Sequence, residues 1–244
     1  MRNIIKNKGL IIKTFDYLEN AVLANVLTKN GKVAVVIKGA KKLNTSTRRL
    51  GNVLTLIEFS HTDAKNVSTL TEGVVLDNYT DLKDDLLKYN YALVLLEKIY
   101  YFSEYVSDFE TLFNFTINLL NLLKTTKYLN AVKLIFEIKL LYLLGVAPSF
   151  KRCPICDKNI TSGVLDIKNG GFLCNDCRIT NDFYLNESDS LLFKKIYVTK
   201  LLDVNEEFLR SINNHQNINN CIKLYYEWHL EFKSKVLDII EKIG

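Results

Sequence analysis

At 244 residues, with 48% hydrophobic and 24% charged residues, the chain has the composition of a globular protein with a real core, which excludes a disordered polyelectrolyte. No run of eighteen apolar residues occurs, and MRNIIKNKGL has neither the apolar stretch nor the small-residue cleavage site of a secretory leader; a soluble, cytoplasmic protein is expected. The net charge of +5 is uneven: residues 1–80 hold twelve Lys and Arg against six Asp and Glu, and the remainder twenty against twenty-one.

The chain opens with five segments rich in Val, Ile, Leu, Thr and Phe: GLIIKTFDYL, AVLANVLT, KVAVVIKG, NVLTLIEFS and VSTLTEGVVL. Polar connections separate them, and they read as strands. Asn30-Gly31 supplies a hairpin turn between the second and third, because that pair accommodates positive φ. Five short strands in under 80 residues predict a small closed barrel of the OB type, since closure removes the adhesive edges of an open sheet.

From Thr80 the apolar spacing changes to three and four. DLKDDLLKYNYALVLLEKIYYFSEYV carries Leu82, Leu86, Tyr89, Leu93, Leu96 and Tyr100 as one helical stripe. Ser107 to Glu110 has capping-box spacing and predicts the start of a second helix. LNAVKLIFEIKLLYLLGVAP predicts a third, ended by Gly145 and Pro148. Two shorter helices follow in NESDSLLFKKIYVTKLL and NEEFLRSINN, then a long final one from Asn217 with the stripe Ile218, Ile222, Tyr225, Trp228, Phe232, Val236, Ile239 and Ile243. The expected architecture is α+β, with residues 1–79 a nucleic-acid-binding OB barrel and residues 80–244 an all-α domain.

Inserted in that helical domain, at about 149–180, lie four of the five cysteines: Cys153-x-x-Cys156, seventeen residues, then Cys174-x-x-Cys177. Two such knuckles supply the tetrahedral thiolate set that zinc takes. A site closed by four cysteines has no open position for substrate, so one structural zinc ion in a ribbon is expected. Pro154 stiffens the first turn, and Gly170-Gly171 can take positive φ before the second. Redox dithiols are the competing reading, disfavoured because a thioredoxin-type motif sits alone near a βαβ pattern. Cys221, beside the last apolar stripe, reads as a buried thiol.

No catalytic motif is present. The ten glycines form neither a dinucleotide nor a P-loop pattern, and His61, His215 and His229 lack ligand spacing. Asp84-Asp85 and Glu206-Glu207 are adjacent on the chain, so neither pair shares a helix face, and both read as solvated. A non-enzymatic protein is expected.

Between Glu19 and Glu58 there is no acidic residue, while Lys29, Lys32, Lys38, Lys41, Lys42, Arg48 and Arg49 fall inside that window. Charge alone leaves two readings open, a solvated basic loop or a polyanion site. As a nucleic-acid surface, Lys32, Lys38, Lys41, Lys42, Arg48 and Arg49 neutralise phosphates, Gly39 admits close backbone approach, and Thr45, Ser46 and Thr47 donate to phosphate oxygens. Phe15, Tyr17 and Phe59 are candidate stacking platforms or barrel core.

A barrel, a basic Lys38-Gly39-Ala40-Lys41 run with Ser46 nearby, a helical bundle, and cysteine knuckles entered by Gly145 to Pro148 and Gly170-Gly171 follow one another in an order that resembles the bacterial RecO family of recombination mediators. The resemblance covers nearly the whole chain. It departs where the family often has Leu-x-Pro and this chain has Leu50-Gly51-Asn52.

The resemblance implies a nucleoid-associated bacterial protein of DNA repair, recombination and the DNA damage response. Such a protein binds single- and double-stranded DNA, anneals complementary strands, and assists RecA recombinase loading with RecR on DNA coated by single-strand-binding protein. It also implies docking of that protein's acidic, apolar tail on the helical domain; basic residues such as Lys133, Lys139 and Arg152 suit such a tail and equally suit a solvated face. Two rivals remain: an NAD-dependent deacylase with structural zinc, which needs the glycine-rich loop this chain lacks, and a zinc-ribbon transcription or translation factor.

Overall fold

The computed structural model of the chain describes residues 3–42, 47–64, 67–178 and 184–237. They fall into two compact units; the first runs through Thr125 and the second spans Thr126–Lys235.

In the first unit, β1 (Ile4–Tyr17), β2 (Ala21–Thr28), β3 (Gly31–Lys38), β4 (Thr55–Thr62) and β5 (Ser68–Asp77) close a barrel in the order β1-β2-β3-β5-β4. This is the OB arrangement the five segments predict. Closure depends on β1, whose 14 residues pair along Ile4–Ile11 with β4 and along Gly9–Tyr17 with β2. A short parallel pairing, Val35 with Ser68 and Val36 with Thr69, joins β3 to β5. Alternation puts Ile11, Ala24, Val26, Val35, Ile37, Ile57 and Phe59 inside. The hairpin tip is Lys29-Asn30 rather than Asn30-Gly31: Thr28 pairs with Gly31, and the Thr28 hydroxyl donates to the Gly31 carbonyl at 2.8 Å.

A four-residue helix, α1 (Thr47–Leu50), connects β3 to β4 and drives Leu50 into the barrel core beside Ala40. Truncating a side chain so placed costs about 2–5 kcal/mol.

The long helix read from Asp81 onward is two, α2 (Thr80–Lys83) and α3 (Leu86–Phe102). Asp85 causes the break: its side chain accepts from the Leu87 and Lys88 amides at 3.0 and 3.1 Å and starts a new helix. Asp85 is thus a cap, not half of a solvated pair. The restart rotates the buried face, which holds Ala92, Leu95, Leu96 and Ile99 while Leu86 is exposed. The next helix, α4 (Phe109–Thr125), is capped by Asp108 and not by Ser107; Asp108 accepts from the Thr111 amide at 2.9 Å and the Thr111 hydroxyl at 2.6 Å.

These helices belong with the barrel by contact. Lys29 reaches Glu110 at 2.7 Å, and Lys124 at the end of α4 pairs with Asp77 and lies 4.5 Å from the Tyr79 ring centre.

The second unit is built on α5 (Leu129–Leu143), buried almost all round, as befits a central helix. Around it stand α6 (Glu187–Val198), α7 (Glu206–Ile212) and α8 (Gln216–Leu230). Asn186 and Asn205 cap α6 and α7 through their side-chain oxygens. The long helix read from Asn217 is interrupted: α8 ends at Leu230, because Glu231 takes φ 50° and the Phe232 amide bonds back to the Tyr226 carbonyl, and helical backbone resumes at 235–237. Phe232 is buried from beyond the helix end, Trp228 is exposed, and Ile239 and Ile243 lie outside the described residues.

Between α5 and α6 the chain makes a small two-stranded sheet, β6 (Val164–Asp166) and β7 (Gly171–Leu173), with the cysteine knuckles around it. The sheet is docked within this unit by Phe150, whose ring meets Phe172, Phe193 and Tyr197 at 5.0, 6.2 and 4.9 Å. Gly170 has φ +62°, but Gly171 does not share it; a side chain there would strike the Ser149 carbonyl at 2.9 Å.

Candidate nucleic-acid interface and metal centre

At the end of β3 the chain reverses through Gly39, which has φ +76°, and the Lys42 amide donates to the Gly39 carbonyl at 3.1 Å. The turn is seated on α1. A Cβ built on Gly39 would lie 3.3 Å from the Thr47 hydroxyl, and one on Gly51 would lie 2.8 Å from the Ala40 Cβ. Gly39, Ala40 and Gly51 are therefore small because two backbone segments meet there. Around this junction Lys38, Lys41, Lys42, Arg48 and Arg49 are exposed, while Ala40 and Leu50 are buried in the barrel core. Thr45 and Ser46 lie outside the described residues.

The window without acids in sequence is not without them in space. Asp16 on β1 lies 3.0 Å from the Lys41 ammonium. Lys32 points elsewhere, to Glu104 at 2.8 Å and the Tyr100 carbonyl at 3.3 Å, with its ammonium 5.0 Å from the Tyr100 ring centre and its side chain only 15% exposed. That salt bridge holds Glu104 below the usual carboxylate range.

Among the aromatic candidates, Phe59 is barrel core. Phe15 is partly engaged, with Tyr100 at 6.1 Å and the Lys13 ammonium at 5.8 Å. Tyr17 is 41% exposed and shares a row with Ala21 and Lys38 across three strands, which places it about 10 Å from the basic turn. Neither Asp16 nor the particular value of Tyr17 is legible without the pairing register.

The second candidate centre is the cysteine module. The sulfurs of Cys153, Cys156, Cys174 and Cys177 all lie within 4.8 Å of one another, and Cys156 to Cys174 is 3.6 Å. None is in a disulfide. Zinc–sulfur bonds of about 2.3 Å in a tetrahedron put sulfurs about 3.8 Å apart, so four sulfurs gathered this closely could hold a metal ion and are consistent with zinc.

The knuckles are local backbone devices. Asp157 has φ +58° and donates its amide to the Cys153 carbonyl at 2.9 Å; the Cys177 amide does the same to Cys174 at 3.1 Å. Lys158 and Asp176 tie the two together at 2.7 Å. Burial would raise the Cys153 thiol, but backbone amides of Cys174, Cys156 and Ile155 outweigh it and bring the group down to about 6. Hydrogen bonds with Cys156 and Cys174, with burial behind them, push Cys177 up to about 12. Four thiols this close lose all their protons only when a cation neutralises them, and a divalent metal supplies that charge.

Around the cysteines the apolar cluster is small: Val164, Leu173 and Cys153 form it, with Ile160 and Tyr184 against it, while Phe150 and Phe172 dock the other side of the sheet. Cys221 is apart, buried on α8, its thiol pushed up to about 12 by burial and then by Asp189. Of the basic residues considered for an acidic tail, Lys133 is buried and paired with Glu137 at 3.0 Å, and Lys139 donates to the Tyr197 carbonyl at 3.0 Å. Lys133 has no surface to offer. Arg152 remains exposed and pairs with Asp157 at 2.7 Å. Among the described residues no helix is long and apolar enough to cross a membrane.

Comparison with known proteins matches both parts of the chain. Residues 1–79 fit the family described as Recombination protein O N terminal, and residues 83–238 fit Recombination protein O C terminal. The DNA repair protein RecO of Caldicellulosiruptor bescii is 29% identical over 246 residues, covering 98% of this chain and 99% of the relative. That of Caldicellulosiruptor saccharolyticus is 25% identical, covering 98% of each, and that of Clostridium novyi is 27% identical, covering 97% of this chain and 93% of its own. With profiles matched to both its barrel and its helical, cysteine-bearing part, the chain belongs to the Recombination protein O family, RecO.

Proposed function

We propose that the chain acts in DNA repair as a recombination mediator. It binds single- and double-stranded DNA, anneals complementary strands, and with RecR assists RecA loading onto DNA coated by single-strand-binding protein. The observation that carries this reading is the junction of the Gly39-Ala40 turn with α1, which presents Lys38, Lys42, Arg48 and Arg49 together on the barrel.

The chemistry required is electrostatic. Two strands repel, and a surface that neutralises phosphates on both lowers that repulsion and raises their local concentration. No bond in the DNA is made or broken, so the protein needs no catalytic group. Zinc at Cys153, Cys156, Cys174 and Cys177 serves as a structural tie for a segment with too small an apolar cluster of its own. The names of the relatives support DNA repair as the setting, and a cytoplasmic, nucleoid-associated protein follows from that setting.

Annealing of complementary oligonucleotides, bare and coated with single-strand-binding protein, tests the reading when titrated against salt. For four phosphate contacts on a single strand, log affinity falls against log salt with a slope of about −3. Reversing Lys41, Lys42, Arg48 and Arg49 to Glu abolishes binding and annealing while circular dichroism stays unchanged; retained affinity in that variant removes the site from the barrel.

A further inference from the structure

The second unit carries an exposed aromatic that the barrel reading leaves unused. Trp228, the only tryptophan of the chain, lies on α8 with 53% of its surface exposed. The Lys168 ammonium stands 5.3 Å from its ring centre.

The placement of Lys168 is built into the fold. Lys168 lies in the turn between β6 and β7, closed by the Gly170 amide donating to the Ile167 carbonyl at 3.2 Å. Asp166 holds the same turn by accepting from the Asn169 amide and side chain at 2.7 and 2.8 Å. His229, next to Trp228, donates from Nε2 to the Ile167 carbonyl at 2.6 Å and is backed by the Tyr225 ring at 4.2 Å. Gly170 leaves only enough room for this approach, since a Cβ there would lie 3.3 Å from the Tyr225 hydroxyl. The turn is thus pinned to α8 at the residue beside Trp228, and the cation above the indole follows from that pin.

We infer that Trp228 and Lys168 form a second single-stranded nucleic-acid contact, in which a base stacks on the indole and the adjoining phosphate meets the ammonium. Sequence-tolerant single-strand sites have this composition, an aromatic platform beside a cation. A protein partner is the weaker fit. An interface hot spot sits within contacts that exclude water, whereas of the residues one turn from Trp228 along the chain Tyr225 and Phe232 are buried, Glu231 is exposed and charged, and Leu224 alone offers exposed apolar surface. Of the nearby acids on the helix, Glu227 is held by Lys233 at 3.7 Å, and Glu231 lies past the helix end. This inference rests on the nucleic-acid reading of the chain. It adds a contact in the unit that does not contain the barrel, so that annealing has a place for each strand.

The chain reports on the site directly, because all its tryptophan emission comes from Trp228. Zinc-loaded full-length protein is titrated with oligo(dT), following tryptophan emission and, separately, the anisotropy of a labelled oligonucleotide. The expected result is saturable quenching, reduced acrylamide access to Trp228, and loss of both with salt. Lys168→Glu should lower the quenching affinity at least fivefold, and Trp228→Leu should lower annealing more than it lowers anisotropy-detected binding. Anisotropy binding without any change in Trp228 emission overturns this inference and leaves the barrel site standing. Absence of both signals overturns the nucleic-acid reading itself. Quenching by an acidic peptide but not by oligo(dT) also overturns the inference and assigns the patch to a protein partner.

Discussion

The Lys41 ammonium lies 3.0 Å from the Asp16 carboxylate, so an acid from β1 sits against the basic window between Glu19 and Glu58 that holds no acid in sequence. Asp16 is 86% exposed, and such a pair contributes little to stability. If the barrel binds DNA as proposed, the effect of the pair falls on binding, because a phosphate approaching Lys41 must displace Asp16. Asp16→Asn is expected to tighten binding to single-stranded DNA about two- to fivefold at low salt, with the gain vanishing as salt rises. Fluorescence anisotropy at two ionic strengths checks this, and unchanged affinity at low salt would show that Lys41 does not face the strand.

Lys32 gives the contrasting case. Its side chain is 15% exposed, paired with Glu104 and close to the Tyr100 ring, so removing it takes away a partly desolvated anchor between β3 and the helices of the same unit. Lys32→Ala should lower stability by about 1–2 kcal/mol while DNA affinity stays within twofold of the parent. A Lys32→Ala protein that is as stable as the parent but binds DNA tenfold less tightly would return Lys32 to the interface.

What sequence made legible was local. The five β-rich runs are each short and contiguous in sequence, so the barrel follows from composition and closure. The cysteine pairs lie on tight turns and assemble in space as their spacing indicates. What was not legible depends on partners far along the chain. Asp85 as a helix cap looks like any other member of a charged run, and only its amide contacts set it apart from Asp84. The end of α8 at Leu230 is written in one residue's left-handed backbone, in a stretch whose apolar spacing continues. Lys32 and Lys133 each have a place on an expected basic surface until Glu104 and Glu137 are brought against them.

Removing one cysteine ligand should act on the module and leave the barrel in place. Cys174→Ala leaves three thiols and a small apolar cluster, while a closed zinc site contributes on the order of 10 kcal/mol to folding. The expected outcome is loss of stoichiometric zinc and rapid proteolysis between about residues 150 and 180, with DNA binding by the barrel retained. Elemental analysis and limited proteolysis, with and without a chelator, check it. A parent protein purified without zinc, or a variant as resistant to protease as the parent, contradicts the structural role.

The pair Lys133–Glu137 lets a charge be tested in the core of the second unit. The two side chains are 6% and 2% exposed, one helical turn apart on α5, and the Lys133 ammonium also donates to Asn219 at 2.8 Å. Above them the buried Tyr226 hydroxyl donates to the Glu137 carbonyl at 2.9 Å; burial, then the nearby carboxylate, raises that phenol well above its ordinary range and keeps it a donor. Taking away one charge leaves the other uncompensated, which costs about 3–5 kcal/mol, whereas replacing both with apolar groups of similar size removes two desolvation penalties together. Glu137→Ala should therefore destabilise the second unit by about 3–5 kcal/mol, and the double change Lys133→Met with Glu137→Leu should recover most of that loss. Denaturant unfolding of zinc-loaded protein, followed by Trp228 emission, reads this unit directly. If the single and double variants were equally unstable, the loss would be one of packing and hydrogen bonding around α5 and not of an unpaired buried charge.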